Sequence, residues 1–168
     1  MVTDNFPACW AFTLTAEGGF VDNPKDPGGA TKYGITLRTL SAWRRHLCTV
    51  QDVQNLTTGE AAEIYRASYW TPDLHPGLDL MWFDFGVTSG QHESTCLLQT
   101  ALGVVADGIL GPETLAAAER TPAAQLIATV GPRQEAFYKS LSNFSTFGAG
   151  WLARTTRRTS AALSMLST

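Results

Sequence analysis

Between Gly18 and Gly34 the chain carries five glycines and two prolines, with no periodic apolar pattern. Segments longer than about 12–15 residues without secondary structure are uncommon inside compact domains and are usually functional or disordered. Pro24, Pro27 and the Gly28-Gly29 pair are turn residues, so this segment reads as a loop of specified shape. Helical patterns flank it. Phe6, Trp10 and Leu14 recur every fourth residue and mark one face of a first helix, capped by Asp4 or Asn5, running to about Glu17 and ended by Gly18-Gly19. Thr36 is placed to cap a second helix. The chain is therefore expected to be mainly α, interrupted early by one long ordered loop with at most short extended pieces.

The loop also concentrates the chemistry. Glu17 follows Leu14 by three residues and, at ~100° per residue, projects from the same apolar stripe. Desolvation of a carboxylate on a buried face favours its protonated form, which is how an acid stays able to donate a proton near neutral pH. The spacing equally suits a helix-end glutamate that points to water. Asp26 lies nine residues beyond Glu17, and Thr31 five beyond Asp26. A Glu at a helix end, an Asp in the next loop and a nearby hydroxyl suit glycoside hydrolysis. One carboxyl protonates the leaving oxygen, the second steadies the oxocarbenium-like charge or activates water, and the hydroxyl holds that water. Asp22 and Tyr33, in the same loop, are candidate substrate-binding residues.

The run from Glu17 to Thr36, EGGFVDNPKDPGGATKYGIT, resembles the signature of the glycoside hydrolase family 108 muramidases, phage endolysins and related bacterial lysozymes. That signature reads approximately E-x-G-[YF]-V-x-x-P-x-D-P-G-G-x-T-x-x-G-I-T. The resemblance implies a lysozyme-like fold and a catalytic acid at Glu17. The Glu, Asp, Thr order of the wider lysozyme superfamily implies Asp26 and Thr31 as its partners. Asp22-Asn23 stands where the family often has Asn-Asp, so Asp22 is a rival to Asp26 as second carboxylate. Lys32-Tyr33 stands where the family often has Asn. Further along, Phe83-Asp84-Phe85-Gly86-Val87 resembles the family's F-D-x-A-V-N motif, with Gly86 and Ser89 departing from it and Asp84 implied to be structural. The pattern D-G-x-x-G-P-x-T from Asp107 to Thr114 resembles predicted peptidoglycan-binding modules, and FGAGWLARTTRR resembles the family's closing G-W-x-x-R. The resemblance spans about Leu14 to about Arg154.

Along the rest of the chain, the helix opened by Thr36 is expected through about His46, with Leu37, Leu40 and Leu47 apolar, and a short segment around Val50 to Leu56 leads onward. Thr57-x-x-Glu60 is a capping-box pattern opening a helix through about Tyr69, with Ala61, Ile64, Tyr65 and Ser68 on one face. Tyr65, Tyr69 and Trp70 suit stacking on sugar rings, and their helical spacing equally suits core packing. Asp79 to Ser89 is apolar almost all round and is expected to be the buried central helix. Gln91 to Leu102 reads as an amphipathic helix ended by Gly103, and Gly111-Pro112 as the start of another. Thr121-Pro122 opens a further helix that Gly131-Pro132 is expected to break or kink before it continues from Arg133 to Leu141. Arg154, Arg157 and Arg158 form a small basic cluster expected on a solvated helix face.

Bulk properties bound the alternatives. With 168 residues and 44% hydrophobic content the chain can bury one core or one and a half. A net charge of −3 gives no basic footprint for nucleic acid. No run of 18 apolar residues exists, so no membrane insertion is expected. The start, MVTDNFPACW, does not read as a signal peptide. A protein made in the host cytoplasm and acting on the cell wall after release fits the phage-lysin resemblance. Cys9, Cys48 and Cys96 are odd in number and far apart, and are expected as buried free thiols. His46, His75 and His92 lack metal-ligand spacing, so no metal or other cofactor is expected, and His75 reads as a surface-loop residue. No Gly-x-Ser-x-Gly elbow is present.

The expected architecture is a lysozyme-like catalytic lobe over 1–75 and a helical peptidoglycan-binding-like lobe over 76–168, packed as one continuous monomeric body with a cleft between them. The expected function is hydrolysis of bacterial peptidoglycan by a muramidase. A lytic transglycosylase needs one Glu but no activated water, and a non-catalytic peptidoglycan-binding protein needs only the second half. Both remain open at the level of sequence.

Overall fold

Helical periodicity becomes helix along nearly the whole chain. The computed structural model describes residues 4–22, 29–71 and 73–167, and among these the order is α1 (Phe6–Leu14), β1 (Thr31–Lys32), β2 (Ile35–Thr36), α2 (Leu37–Arg44), α3 (Val50–Gln54), α4 (Thr58–Tyr69), α5 (Leu78–Ser89), α6 (Gln91–Leu102), α7 (Pro112–Arg120), α8 (Ala123–Ser140) and α9 (Phe144–Met165). The fold is mainly α, with a single small antiparallel hairpin among the described residues.

Local chemistry sets most boundaries. The Thr36 hydroxyl accepts from the Thr39 amide at 3.1 Å and opens α2, and Arg45 in a left-handed conformation closes it. α2 stops at Arg44, so Leu47 lies beyond its end and is 93% exposed instead of joining the apolar face. Thr57 caps α4 through the Glu60 amide, but the Glu60 side chain does not reach back; it takes two bonds of 2.8 Å from Arg44. The reciprocal capping box forms at Thr49 and Asp52 instead. Pro112 occupies the first turn of α7, and Gly103 ends α6 with φ +71°.

Two compact units divide the chain. The smaller, residues 10–70, contains the hairpin, α2, α3 and α4, with β1 against α3 and β2 against α2. Its core includes Trp10, Ile35, Leu40, Val53, Leu56, Ala61, Ile64 and Tyr65.

The larger unit, residues 1–9 and 71–168, is built around α5, which is buried on every side from Leu78 to Gly86 and packs against α6, α8 and α9. At Gly86 a methyl group would meet the end of the Gln91 side chain, which would have to turn aside to admit the alanine usual in the resembling motif. Asp84, fully buried, accepts bonds from Arg154 Nε and Nη2 at 3.0 and 2.7 Å and from Arg158 Nε at 2.7 Å. Arg158 also donates to Gln134, which in turn donates to the Met81 carbonyl. Burial by itself pushes the Asp84 carboxyl up, but the Arg154 hydrogen bond and the charges of both arginines outweigh it and hold the carboxyl below its ordinary range. This corrects the expectation of a solvated basic face: Arg154 and Arg158 are interior partners of a structural aspartate, and only Arg157 is exposed.

Two further expectations shift, while His75 lies in a surface loop as expected. α8 runs unbroken through Pro132. The adjoining Gly131 is buried, and a methyl there would come within 3.0 Å of Thr159 Oγ1 on α9, so close helix packing holds the segment helical where proline alone would interrupt it. Of the thiols only Cys9 is buried, its Sγ 3.7 Å from Asp79 Oδ1 and its titration pushed upward, chiefly by burial. His75 is half exposed and pairs with Glu119 at 3.1 Å.

Candidate active site

The buried face of α1 is made by Phe6, Cys9, Trp10 and Thr13, while Leu14 is half-buried. The next position one turn on from Thr13 is Glu17. The helix proper ends at Leu14, but the Glu17 amide still donates to the Thr13 carbonyl at 3.2 Å, so the backbone keeps a helical turn to that residue. Glu17 therefore continues the buried stripe just past the helix end and is half-buried.

The hairpin supplies the surface that meets it. Thr31 pairs with Thr36 and Lys32 with Ile35, leaving Tyr33 and Gly34 as a two-residue turn. Their φ angles are +52° and +74°, the pattern of a type I′ turn, whose twist matches that of the flanking strands. A non-glycine residue at positive φ needs support. Tyr33 has it: its amide donates to the Gly18 carbonyl at 2.9 Å, and its carbonyl accepts from the Tyr65 hydroxyl at 2.9 Å. The first bond ties the turn to the residue immediately after Glu17. At Gly34 a methyl group would lie 2.5 Å from Tyr65 Oη and 2.7 Å from Glu17 Oε2. The carboxylate and the phenol oxygen thus flank a space that only glycine leaves open.

Tyr65 is 4% exposed, its ring 4.7 Å from Trp10 and 5.5 Å from Tyr69 between centroids. It is a core residue whose hydroxyl reaches the site, and its face is not offered to a sugar. Tyr69 and Trp70, at the end of α4, are half-buried and keep part of their surface open. Thr31 is half-buried in β1, and its backbone exchanges both 2.8 Å bonds with Val21. That bridge brings the start of the loop onto the hairpin and leaves exposed Asp22 directly after it. Asp26, the other candidate carboxylate, lies outside the described residues. The structure thus brings Glu17, Tyr33 and Tyr65 together about Gly34, with Thr31 on the adjoining strand.

The surroundings are a rigid polar frame. Lys32 Nζ donates to the Gln54 carbonyl at 2.7 Å and lies 5.2 Å above the Tyr33 ring. Arg44 joins Glu60 to Asp52. The Arg44 hydrogen bond holds the Glu60 carboxyl below its ordinary range, and bonds from the Thr49 hydroxyl and amide do the same for Asp52. These carboxylates are committed to structure. Among the described residues no group of three or more His, Cys, Asp or Glu is placed to hold a metal ion.

Gly34 is the site residue that sequence reasoning passed over. Its signal was present: a glycine as the second residue of a two-residue turn between short β-prone pairs is the I′ hairpin pattern. Gln99 was passed over as well. Buried in the larger unit, its Nε2 donates to Asp107, the Ile109 carbonyl and Thr114, and its Oε1 accepts from the Gly108 amide, so one side chain shapes the whole D-G-x-x-G-P loop. No local pattern announces a glutamine in that role.

The family model described as Glycosyl hydrolase 108 matches residues 10–90, and that described as Predicted Peptidoglycan domain matches residues 93–156. The first extends past the smaller unit and takes in α5, which packs within the larger one. The solved structure of SagA from Brucella abortus is 41% identical, covers 96% of this chain and 95% of its own, and superposes with a TM-score of 0.83. No curated protein matches the chain.

Proposed function

The chain belongs to the glycosyl hydrolase 108 family, and from that premise we propose that it is an N-acetylmuramidase with Glu17 as general acid. The bond cleaved is the β-1,4 linkage between N-acetylmuramic acid and N-acetylglucosamine. The observation that carries this reading is the setting of Glu17: half-buried, one turn beyond Thr13, its carboxylate beside the glycine of a clamped I′ turn. An acid in such a place is partly shielded from water and fixed in direction, as protonation of a glycosidic oxygen requires.

In this mechanism Glu17 gives its proton to the leaving oxygen as the bond to the muramic acid anomeric carbon lengthens. A second carboxylate, Asp26 or Asp22, then steadies the positive ring or draws a proton from the attacking water, with the Thr31 hydroxyl orienting that water. The separation of the two carboxyls decides the stereochemistry, about 5–5.5 Å for retention and about 6.5–9.5 Å for inversion. Tyr33, Tyr69 and Trp70 are proposed to contact the glycan, and the matched peptidoglycan domain supports the same polymer as substrate. The biological role proposed is that of a monomeric phage endolysin, made in the host cytoplasm and released onto the cell wall.

Digestion of purified peptidoglycan by wild type and Glu17→Gln, with mass analysis of the fragments, tests this. New muramic-acid reducing ends from wild type alone are the expected result. Anhydro ends would make the enzyme a transglycosylase, and an active Glu17→Gln would remove Glu17 from the mechanism.

A further inference from the structure

We propose that the turn joining α2 to α3 docks this protein on the surface of an anionic lipid bilayer, with Trp43, Leu47 and Val50 set into the headgroup boundary and Arg38 and Arg45 against the phosphates. All three apolar side chains are exposed, and all lie between residues 43 and 50. Exposed hydrophobics scattered singly are ordinary, whereas several gathered on one turn mark a contact surface. Leu47 is not exposed through looseness. Arg45 takes the left-handed conformation that closes α2, with its amide on the Ala42 carbonyl. The His46 amide donates to the Ser41 carbonyl and the Cys48 amide to Ser41 Oγ at 3.0 Å, while that hydroxyl donates to the Leu37 carbonyl. Thr49 then opens α3 with its capping box. The backbone on both sides of Leu47 is thus fastened to α2, and the leucine is held out in water.

Charge selects the occupant. In a chain of net charge −3, no Asp or Glu occurs between Asp26 and Asp52, while Lys32, Arg38, Arg44 and Arg45 fall in that stretch. Lys32 is engaged by the Gln54 carbonyl and Arg44 by Asp52 and Glu60. Arg38 and Arg45 are exposed, and among the described residues neither has an ion-pair partner. At ~100° per residue they stand two turns apart on one flank of the exposed side of α2, with Trp43 on the other flank. A flat surface laid on that side meets both flanks. A soluble polyanion would engage the arginines and leave Leu47 in water. A bilayer takes both, since interfacial binding adds buried apolar area to attraction for anionic headgroups, and tryptophan favours that boundary. No described helix is long and apolar enough to cross a membrane, and the contact proposed is peripheral.

The proposal is independent of the muramidase reading, and its test needs no peptidoglycan. The full chain is sedimented with vesicles of phosphatidylethanolamine and phosphatidylglycerol, and with vesicles of phosphatidylcholine alone. Wild type is expected to bind the first and not the second, and to be released as salt is raised. Leu47→Glu should weaken binding by about tenfold or more. Leu47 is almost wholly exposed, so this variant should keep the wild-type melting temperature. Arg45→Asn keeps a residue suited to the left-handed position and should weaken binding by about fivefold. Ile109→Glu makes the same change at an exposed apolar residue of the larger unit and should bind as wild type does. A wild type that ignores both vesicles or binds both alike overturns the proposal, as does an equal loss in Ile109→Glu or no loss in Leu47→Glu. A wild type that ignores vesicles but sediments as an oligomer, which Leu47→Glu separates, would replace the bilayer by a second copy of the chain.

Discussion

Replacing Gly34 by alanine is the most direct perturbation of the candidate site, because it adds one carbon between the Tyr65 and Glu17 oxygens. Ordinary contact begins at 3.4 Å, whereas the new carbon would stand 2.5 Å from Tyr65 Oη and 2.7 Å from Glu17 Oε2. Tyr65 is buried and braced by two rings, so it yields little. Glu17 is the far end of a flexible side chain and must withdraw by about 0.7 Å or more, a misplacement of the order that costs about 10²-fold in rate. The left-handed conformation, φ +74°, adds a backbone cost of about 1–2 kcal/mol. Gly103→Ala separates the two effects. Its φ of +71° imposes the same strain, but no atom lies within 4 Å of the added carbon. Gly103→Ala should lose about 1–2 kcal/mol in urea unfolding, and Gly34→Ala about 1–3 kcal/mol more for the crowding against Tyr65. Only Gly34→Ala should lose peptidoglycan hydrolysis, by about 10²-fold, at a temperature where both are folded. Equal activity in the two alanine variants would refute the claim that Gly34 holds open the Glu17 position.

Other consequences concern the larger unit. Asp84→Asn should destabilise by about 3–5 kcal/mol in urea unfolding, since it leaves Arg154 and Arg158 buried without their counter-charge. Because the Asp84 carboxyl titrates below its ordinary range, its stabilising contribution is complete above the unfolded value of about 3.9 and is lost as pH falls through the folded one. The acid limb of the stability profile should therefore be shallower in Asp84→Asn than in wild type. Gln99→Ala should cost about 2–3 kcal/mol and speed amide exchange at Gly108 and Ile109, as four bonds shaping that loop are lost.

Where local chemistry decides, the sequence was sufficient. Gly103 and Pro112 end and begin helices by their own backbone preferences, and the apolar circumference of residues 78–86 could only be a buried helix. Where a distant partner decides, it was not. Asp84 meets Arg154 across 70 positions, and nothing near Arg154 distinguishes an interior arginine from one on a wet face. Pro132 stays helical because of what Gly131 allows α9 to do, which is a packing fact and not a propensity. The same holds at the site. The half-buried setting of Glu17 was legible from its spacing, but the hydroxyl that holds the Tyr33 carbonyl arrives from Tyr65, 32 positions beyond Tyr33, and helical spacing could say only that its ring was apolar.

The departure from the family pattern at Lys32-Tyr33 also acquires a physical sense. The asparagine often found two residues before the Gly-Ile-Thr falls on Lys32, next to the left-handed position. Tyr33 itself occupies the left-handed region at φ +52°, where a residue other than glycine needs support. Its strain is offset by contacts that the neighbouring departure helps to supply. The Lys32 ammonium covers the Tyr33 ring at 5.2 Å while donating to the Gln54 carbonyl, which fastens the turn to the end of α3. Gly18 and Tyr65 hold the Tyr33 backbone from its two sides. Lysine and tyrosine therefore act as one unit: the first immobilises the ring of the second, and the second aims a carbonyl at Tyr65. The pair thereby holds the turn that sets Gly34 beside Glu17.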